Sequence, residues 1–192
     1  YQVEVLSDNS TVHVAEDKMT RFLSDAVPRV LLVADTISFR QLAKTQVGKT
    51  DAVLEIGASL GECTHILACH AKVAVGVDVA GELVAECRCR HPKCRFEWLD
   101  CNEEPQRLHE LCIELQEQGV LKLFVDVGGD RSTADVCRVL TTLGEAADFK
   151  FVVVKSRHLA ADGSASCNDD GCIPNLEEWF AKAAAPRAGS FK

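Results

Sequence analysis

The sequence predicts an α/β protein: a doubly wound, mostly parallel sheet with an N-terminal hairpin and helix extension and a shortened C-terminus. Two observations predict it. Nearly continuous apolar runs, most of them containing Val, recur at 52–57, 72–78, 95–100, 122–127 and 150–155. Such runs suit strands covered on both faces. Helix-like stretches separate them at 61–70, 80–90, 103–118 and 131–146. Strand and helix in alternation at this length imply a parallel sheet with right-handed crossovers.

The elements follow in order. "YQVEVL" and "TVHVA" alternate with period 2 around the turn-rich "SDNS", which predicts a hairpin. "AEDKMTRFLSDAV" spaces Met19, Phe22, Leu23 and Val27 near a helical period, and Pro28 closes it. "RVLLVADT" is a short apolar run that fits either state, and "ISFRQLAKTQV" reads as a helix ending before Gly48. The boundary is drawn there: an extension over 1–49, packed on a Rossmann-like domain over 50–192. The tail holds a polar loop over 161–175 and a helix expected from Leu176 to Ala185. The last residues are too few for more than one further strand.

The chain has 192 residues, enough for one domain with an ordinary core. No apolar run approaches the roughly 20 residues of a membrane span. The chain begins at Tyr1 rather than Met and lacks a signal-peptide pattern, so a trimmed or processed chain in the cytoplasm is expected. The net charge of −8 disfavours nucleic acid as a partner, because phosphate-backbone binding is driven by Lys and Arg. The ten cysteines are expected to be reduced thiols, since several fall inside strand or helix patterns.

The chemistry concentrates at "VLEIGASLGECT". Gly57, Ala58, Ser59 and Gly61 form a loop made almost entirely of backbone, following a strand that ends in Glu55. In an open parallel sheet, ligands bind beyond the carboxyl ends of the strands, where main chain can touch them directly. Glu55 there would repel a pyrophosphate, and Ser59 replaces a glycine of the dinucleotide fingerprint. A ligand with cationic or donor groups is expected instead.

These residues resemble the first motif of class I S-adenosylmethionine-dependent methyltransferases. The resemblance continues in order. "AVGVDVA" is similar to the second motif, which assigns Asp78, followed by Val79, to the ribose hydroxyls. "RFEWLDC" ends in Asp100 and Cys101, where the family binds the adenine. "KLFVDVGG" places Asp126 near the reacting centre. The matched region spans about residues 50–155. It implies S-adenosylmethionine as cofactor, S-adenosylhomocysteine as product, and an unassigned methyl acceptor: small molecule, protein or RNA, methylated on O or N. The residues fit those roles independently. Asp78 lies 23 positions beyond Glu55, near the roughly 20-residue offset of nucleoside-binding acids. An Asp at a strand–helix junction also serves as an N-cap.

Catalytic groups are expected after the fourth and fifth repeat strands: Asp126 and Lys155. With a lysine before the first motif, Lys44 or Lys49, they resemble the Lys-Asp-Lys set of RNA ribose 2′-O-methyltransferases. Gly128-Gly129 departs from that family's pattern, and no final Glu is assigned. Gly128, Gly129, Asp130 and Arg131 give either room for an acceptor or a tight turn, with Ser132 or Thr133 capping the next helix. Cys87, Cys89, His91 and Cys94 offer soft metal ligands, but the spacing disfavours zinc and no metal is expected. Cys167 and Cys172 are expected in a solvated loop, and His65 and His70 on a helix facing solvent. A second reading keeps the fold without the chemistry: an inactive subunit of a larger assembly, with a protein partner at an open C-terminal sheet edge.

Overall fold

The computed structural model describes residues 2–5, 10–13, 30–128 and 131–162. The strands β1 (Gln2–Val5) and β2 (Ser10–His13) pair antiparallel, with Gln2 opposite His13, as the period-2 pattern predicts. The helix expected before Pro28, the tail helix and the Cys167–Cys172 loop lie outside the described residues.

The second sheet has six strands: β3 (Val30–Val33), β4 (Asp51–Ile56), β5 (Val73–Asp78), β6 (Arg95–Trp98), β7 (Val120–Val125) and β8 (Phe151–Lys155). Their order across the sheet is β3-β8-β7-β4-β5-β6, and every pair is parallel. Among the described residues, six helices connect and flank them: α1 (Thr36–Thr45), α2 (Glu62–His70), α3 (Gly81–Arg90), α4 (Pro105–Gln118), α5 (Thr133–Ala146) and α6 (Arg157–Asp162). From β4 the chain first builds outward through β5 and β6, then returns to the other side of β4 with β7 and β8. That reversal opens a crevice between the carboxyl ends of β4 and β7.

Alternation along the strands divides the core. Leu54, Leu123, Val152 and Val154 meet Leu108, Leu115, Leu140 and Leu143 of α4 and α5. Val53, Phe124 and Val153 meet Phe39, Ala43 and Leu67 of α1 and α2, and the Phe39 and Phe124 rings pack edge-on at 5.5 Å. Every residue of β4 is buried, which is why its sequence shows no period-2 polarity. Asp35 caps α1, accepting from the Ser38 amide at 2.8 Å. Of the two candidates before α5, Ser132 is the cap, accepting from the Asp135 amide at 3.2 Å.

Three features differ from the expectation. Residues 30–33, whose type the sequence left open, form a strand registered on β8, with Val30 opposite Val152 and Val33 opposite Lys155. Strand β3 and helix α1, assigned above to the extension, thus belong to the same sheet and its flanking layer. The edge expected to stand open beyond β8 is occupied by β3. Helix α6 follows β8 directly, where no helix was expected.

Candidate functional site

The loop after β4 needs backbone that most residues avoid. Gly57, Ser59 and Gly61 have φ of 85°, 50° and 80°. Left-handed backbone costs a residue with a Cβ about 1–2 kcal/mol, so Ser59 must be held. It is held from both sides. Its amide donates to Asp78 Oδ2 at 2.8 Å, and its carbonyl accepts from the Cys87 thiol at 2.9 Å. Burial pushes that thiol up to about 11, so it stays a donor near neutral pH. At the end of the loop, Gly61 faces the rings of His91 and Phe96 with no room for a side chain.

Glu55 is not on the rim of the crevice. It is 1% exposed and lies beneath the loop, where its carboxyl accepts from the Thr64 hydroxyl in the first turn of α2. The donor the sequence required is therefore inside the fold, and Glu55 ties α2 to β4. Burial pushes its pKa up to about 7, opposed by hydrogen bonds from Thr64 and Cys63 and reinforced by the charge of Asp126.

Above the loop lies a cleft of about 420 Å³, within the usual size of small-molecule sites. Gly57 and Ser59 line one wall with their main chain. Asp78 and Val79 line it after β5, and Asp100 and Cys101 after β6. Asp126 and Lys155 close the far end. Ala58 and Gly61 do not line the cleft; Ala58 packs instead with Val84, Cys87 and Phe96. Asp78 also accepts from the Ala80 amide at 3.0 Å, and Asp100 from the Asn102 amide at 2.9 Å. Both carboxylates thus fix their own turns while facing the cavity. Turn-fixing and cavity-lining positions coincide there.

The far end is a polar set. Lys155 Nζ lies 2.5 Å from Asp126 Oδ2 and donates to Thr36 Oγ1 at 3.0 Å. The two charged side chains are only 13% and 20% exposed. Neither candidate third lysine joins them. Lys49 Nζ donates to the Cys69 carbonyl at 2.7 Å, before β4 begins. Lys44 sits in the last turn of α1, roughly 12 Å along the axis from Thr36 in the first. Sequence reasoning missed Thr36 because its contact spans 119 residues, and no local pattern announces such a pairing. It also missed Leu99, Asn102 and Val139, which line the cleft. Arg131, named only as part of a turn, lines it too.

The cysteine-histidine cluster disperses. Cys87 bonds the loop, Cys89 is exposed, and Cys94 Sγ lies 3.7 Å from His65 Nδ1. The His65 and His91 rings stack at 4.9 Å, so His65 faces a neighbouring element as well as solvent. Among the described residues, no group of three or more His, Cys, Asp or Glu side chains is placed to hold a metal ion. No described helix is long and apolar enough to cross a membrane.

No family model matches this chain, and no curated protein matches it. Solved structures do. DesVI of Streptomyces venezuelae is 13% identical over 62% of this chain and 48% of its own, with a TM-score of 0.43. The sugar N-methyltransferase KedS8 from Streptoalloteichus sp. ATCC 53650 is 14% identical over 63% and 47%, with a TM-score of 0.43. The 23S rRNA methyltransferase ErmE is 14% identical over 71% and 53%, with a TM-score of 0.47. The chain spans about half the length of each. The strand order carries more weight than these likenesses. Counted from β4, it runs 3-2-1-4-5, the doubly wound order, with acids at or beyond the ends of β5, β6 and β7 facing one cleft. The fold is the doubly wound, parallel α/β sheet that the sequence predicts. In an open sheet of this order, the reversal between β4 and β7 is where ligands bind, and the cleft lies there.

Proposed function

We propose that the chain binds S-adenosylmethionine in this cleft and transfers its methyl group to an acceptor entering at the Asp126–Lys155 end. The observation that carries this reading is the convergence of Asp78, Asp100, Asp126, Gly57 and Ser59 on one cavity. Asp78 accepts from the ribose hydroxyls, and Asp100 from the adenine amino group. The acidic lining favours the cationic ends of the ligand. The cofactor supplies an activated methyl on sulfur. The protein's part in an in-line displacement is to hold the acceptor and manage its proton.

Calorimetric titration with S-adenosylmethionine and S-adenosylhomocysteine tests the reading. Micromolar binding is expected, weakened about 10- to 100-fold by Asp78→Ala, as removing hydrogen bonds to a charged group implies. A folded chain that binds neither ligand would overturn it and favour the inactive-subunit reading.

The Lys155–Asp126 contact supports a narrower possibility, transfer to a hydroxyl such as an RNA ribose 2′-OH. Here Lys155 handles the acceptor proton and Asp126 orients the lysine. Lys155→Met should then leave S-adenosylhomocysteine affinity within about threefold and lower transfer at least about 100-fold, the lower range for general acid–base catalysis. Equal loss of binding and transfer would assign Lys155 to cofactor binding.

A further inference from the structure

A second cluster lies on the other side of the cofactor loop, on the outer surface of α2. Glu62, His65 and Cys69 follow one another at spacings of three and four, so they share one helix face. That face meets the turn between α3 and β6. His65 stacks on His91, and His65 Nδ1 lies 3.7 Å from Cys94 Sγ. Cys69 stands one turn beyond His65 on the same face and is exposed, whereas Cys94 is half-buried.

We propose that Cys69 and Cys94 are a reversible dithiol–disulfide pair, oxidised by a low-molecular-weight disulfide such as oxidised glutathione.

The two thiols have complementary positions for such a pair. Cys69 is open to solvent, so it meets the oxidant first. Its thiolate attacks one sulfur of the glutathione disulfide. The S–S bond breaks, one glutathione leaves as thiolate and takes up a proton, and Cys69 carries a mixed disulfide. Cys94 then resolves it. Burial and the nearby charge of Cys69 push the Cys94 thiol up, so it needs a base at neutral pH. His65 Nδ1 is placed to accept that proton. The Cys94 thiolate attacks Cys69 Sγ, the second glutathione departs and recovers the proton, and the protein disulfide is formed. Two protein thiols lose two protons and two electrons, and one glutathione disulfide gains them to become two glutathione thiols. Low glutathione disulfide in a reducing compartment keeps the pair open, as for other redox-sensing cysteines.

The other described thiols are less suited. Cys63, Cys87, Cys101, Cys112 and Cys137 are buried. Cys89 is exposed in the last turn of α3, whereas Cys69 shares the α2 face on which His65 meets Cys94. The bond would join α2, which opens with Gly61, to the turn that presents His91 against that glycine. It would therefore fasten the outer support of the loop.

The test uses the full chain, equilibrated in glutathione buffers from fully reduced to fully oxidised. Free thiols are alkylated and proteolytic peptides mapped by mass. A Cys69–Cys94 cross-linked peptide is expected, removed by dithiothreitol. It should be lost completely in Cys69→Ser and in Cys94→Ser, and retained in Cys89→Ser. In His65→Gln, the mixed disulfide on Cys69 should accumulate while the cross-link forms more slowly. The proposal is overturned if Cys69 and Cys94 carry only separate glutathione adducts at equilibrium, or if either pairs with another cysteine. Circular dichroism of each variant confirms that the fold is retained. This outcome is independent of whether the cleft binds S-adenosylmethionine.

Discussion

Gly57→Ala should destabilise the protein by roughly 2 to 5 kcal/mol and abolish detectable binding of S-adenosylhomocysteine. Two costs add. The position has φ of 85°, where a Cβ is strained. The new Cβ would also overlap the carbonyl oxygen of Asp126, which is backbone and cannot rotate away. That carbonyl belongs to the turn after β7, whose Asp126 amide is fixed by the Ile56 carbonyl at 2.8 Å. The loop must therefore move, and it takes the Ser59 amide away from Asp78. Urea unfolding and calorimetry read the two losses separately. Gly48→Ala is the control. Its φ lies outside the left-handed range, and its new Cβ would meet nothing closer than Asp51 Oδ2 at 3.8 Å. A variant at Gly57 as stable and as tightly binding as Gly48→Ala would refute the packing argument.

Glu55 sets a pH dependence of stability. Its pKa rises from the ordinary 4.5 to about 7 on folding, chiefly through burial. An acid raised in the folded state holds its proton longer there than in the unfolded chain. Below about pH 4.5 both states are protonated and this group contributes no slope. Between about 4.5 and 7 only the unfolded chain loses the proton, so stability falls as pH rises. Above 7 both states are ionised and the loss, about 3 kcal/mol in all, is complete. Glu55→Gln keeps the shape and cannot ionise. Comparing unfolding free energies at pH 5 and pH 8, the native chain should lose roughly 2 to 3 kcal/mol more than Glu55→Gln over that interval. Parallel profiles for the two proteins would show that Glu55 does not titrate between those pH values.

The strands and helices of the second sheet were legible because burial writes a local record. The five apolar runs each proved to be a strand of that sheet, with ends shifted by a few residues, as at β7. The acids at strand ends were legible because chain reversal and ligand contact both occur there. Other features needed the third dimension. Glu55 reads as a rim carboxylate until Thr64 is seen folding back over it. Cys87 reads as an unliganded thiol, and nothing local shows that its donor reaches a carbonyl 28 positions away. The four residues of β3 are too few to show a period, and only their partner on β8 makes them a strand. Lys155 was found by its place at a strand end, but Thr36 carries no mark of its own.

The β3–β8 pairing also dictates an order of events. Val30 and Val152 are neighbours in space and far apart in the chain. As the chain emerges from synthesis, β3 and α1 have no sheet to join until β8 has been made. Closing so long a loop is slow, and contacts of this kind form late. The hydroxyl of Thr36 arrives at Lys155 in that same step. The Asp126–Lys155 end of the cleft therefore acquires its full set of partners only when the early and late parts of the chain have met. A half-folded or nascent chain would form the β4–β5 side of the cleft without presenting the complete polar set beside it.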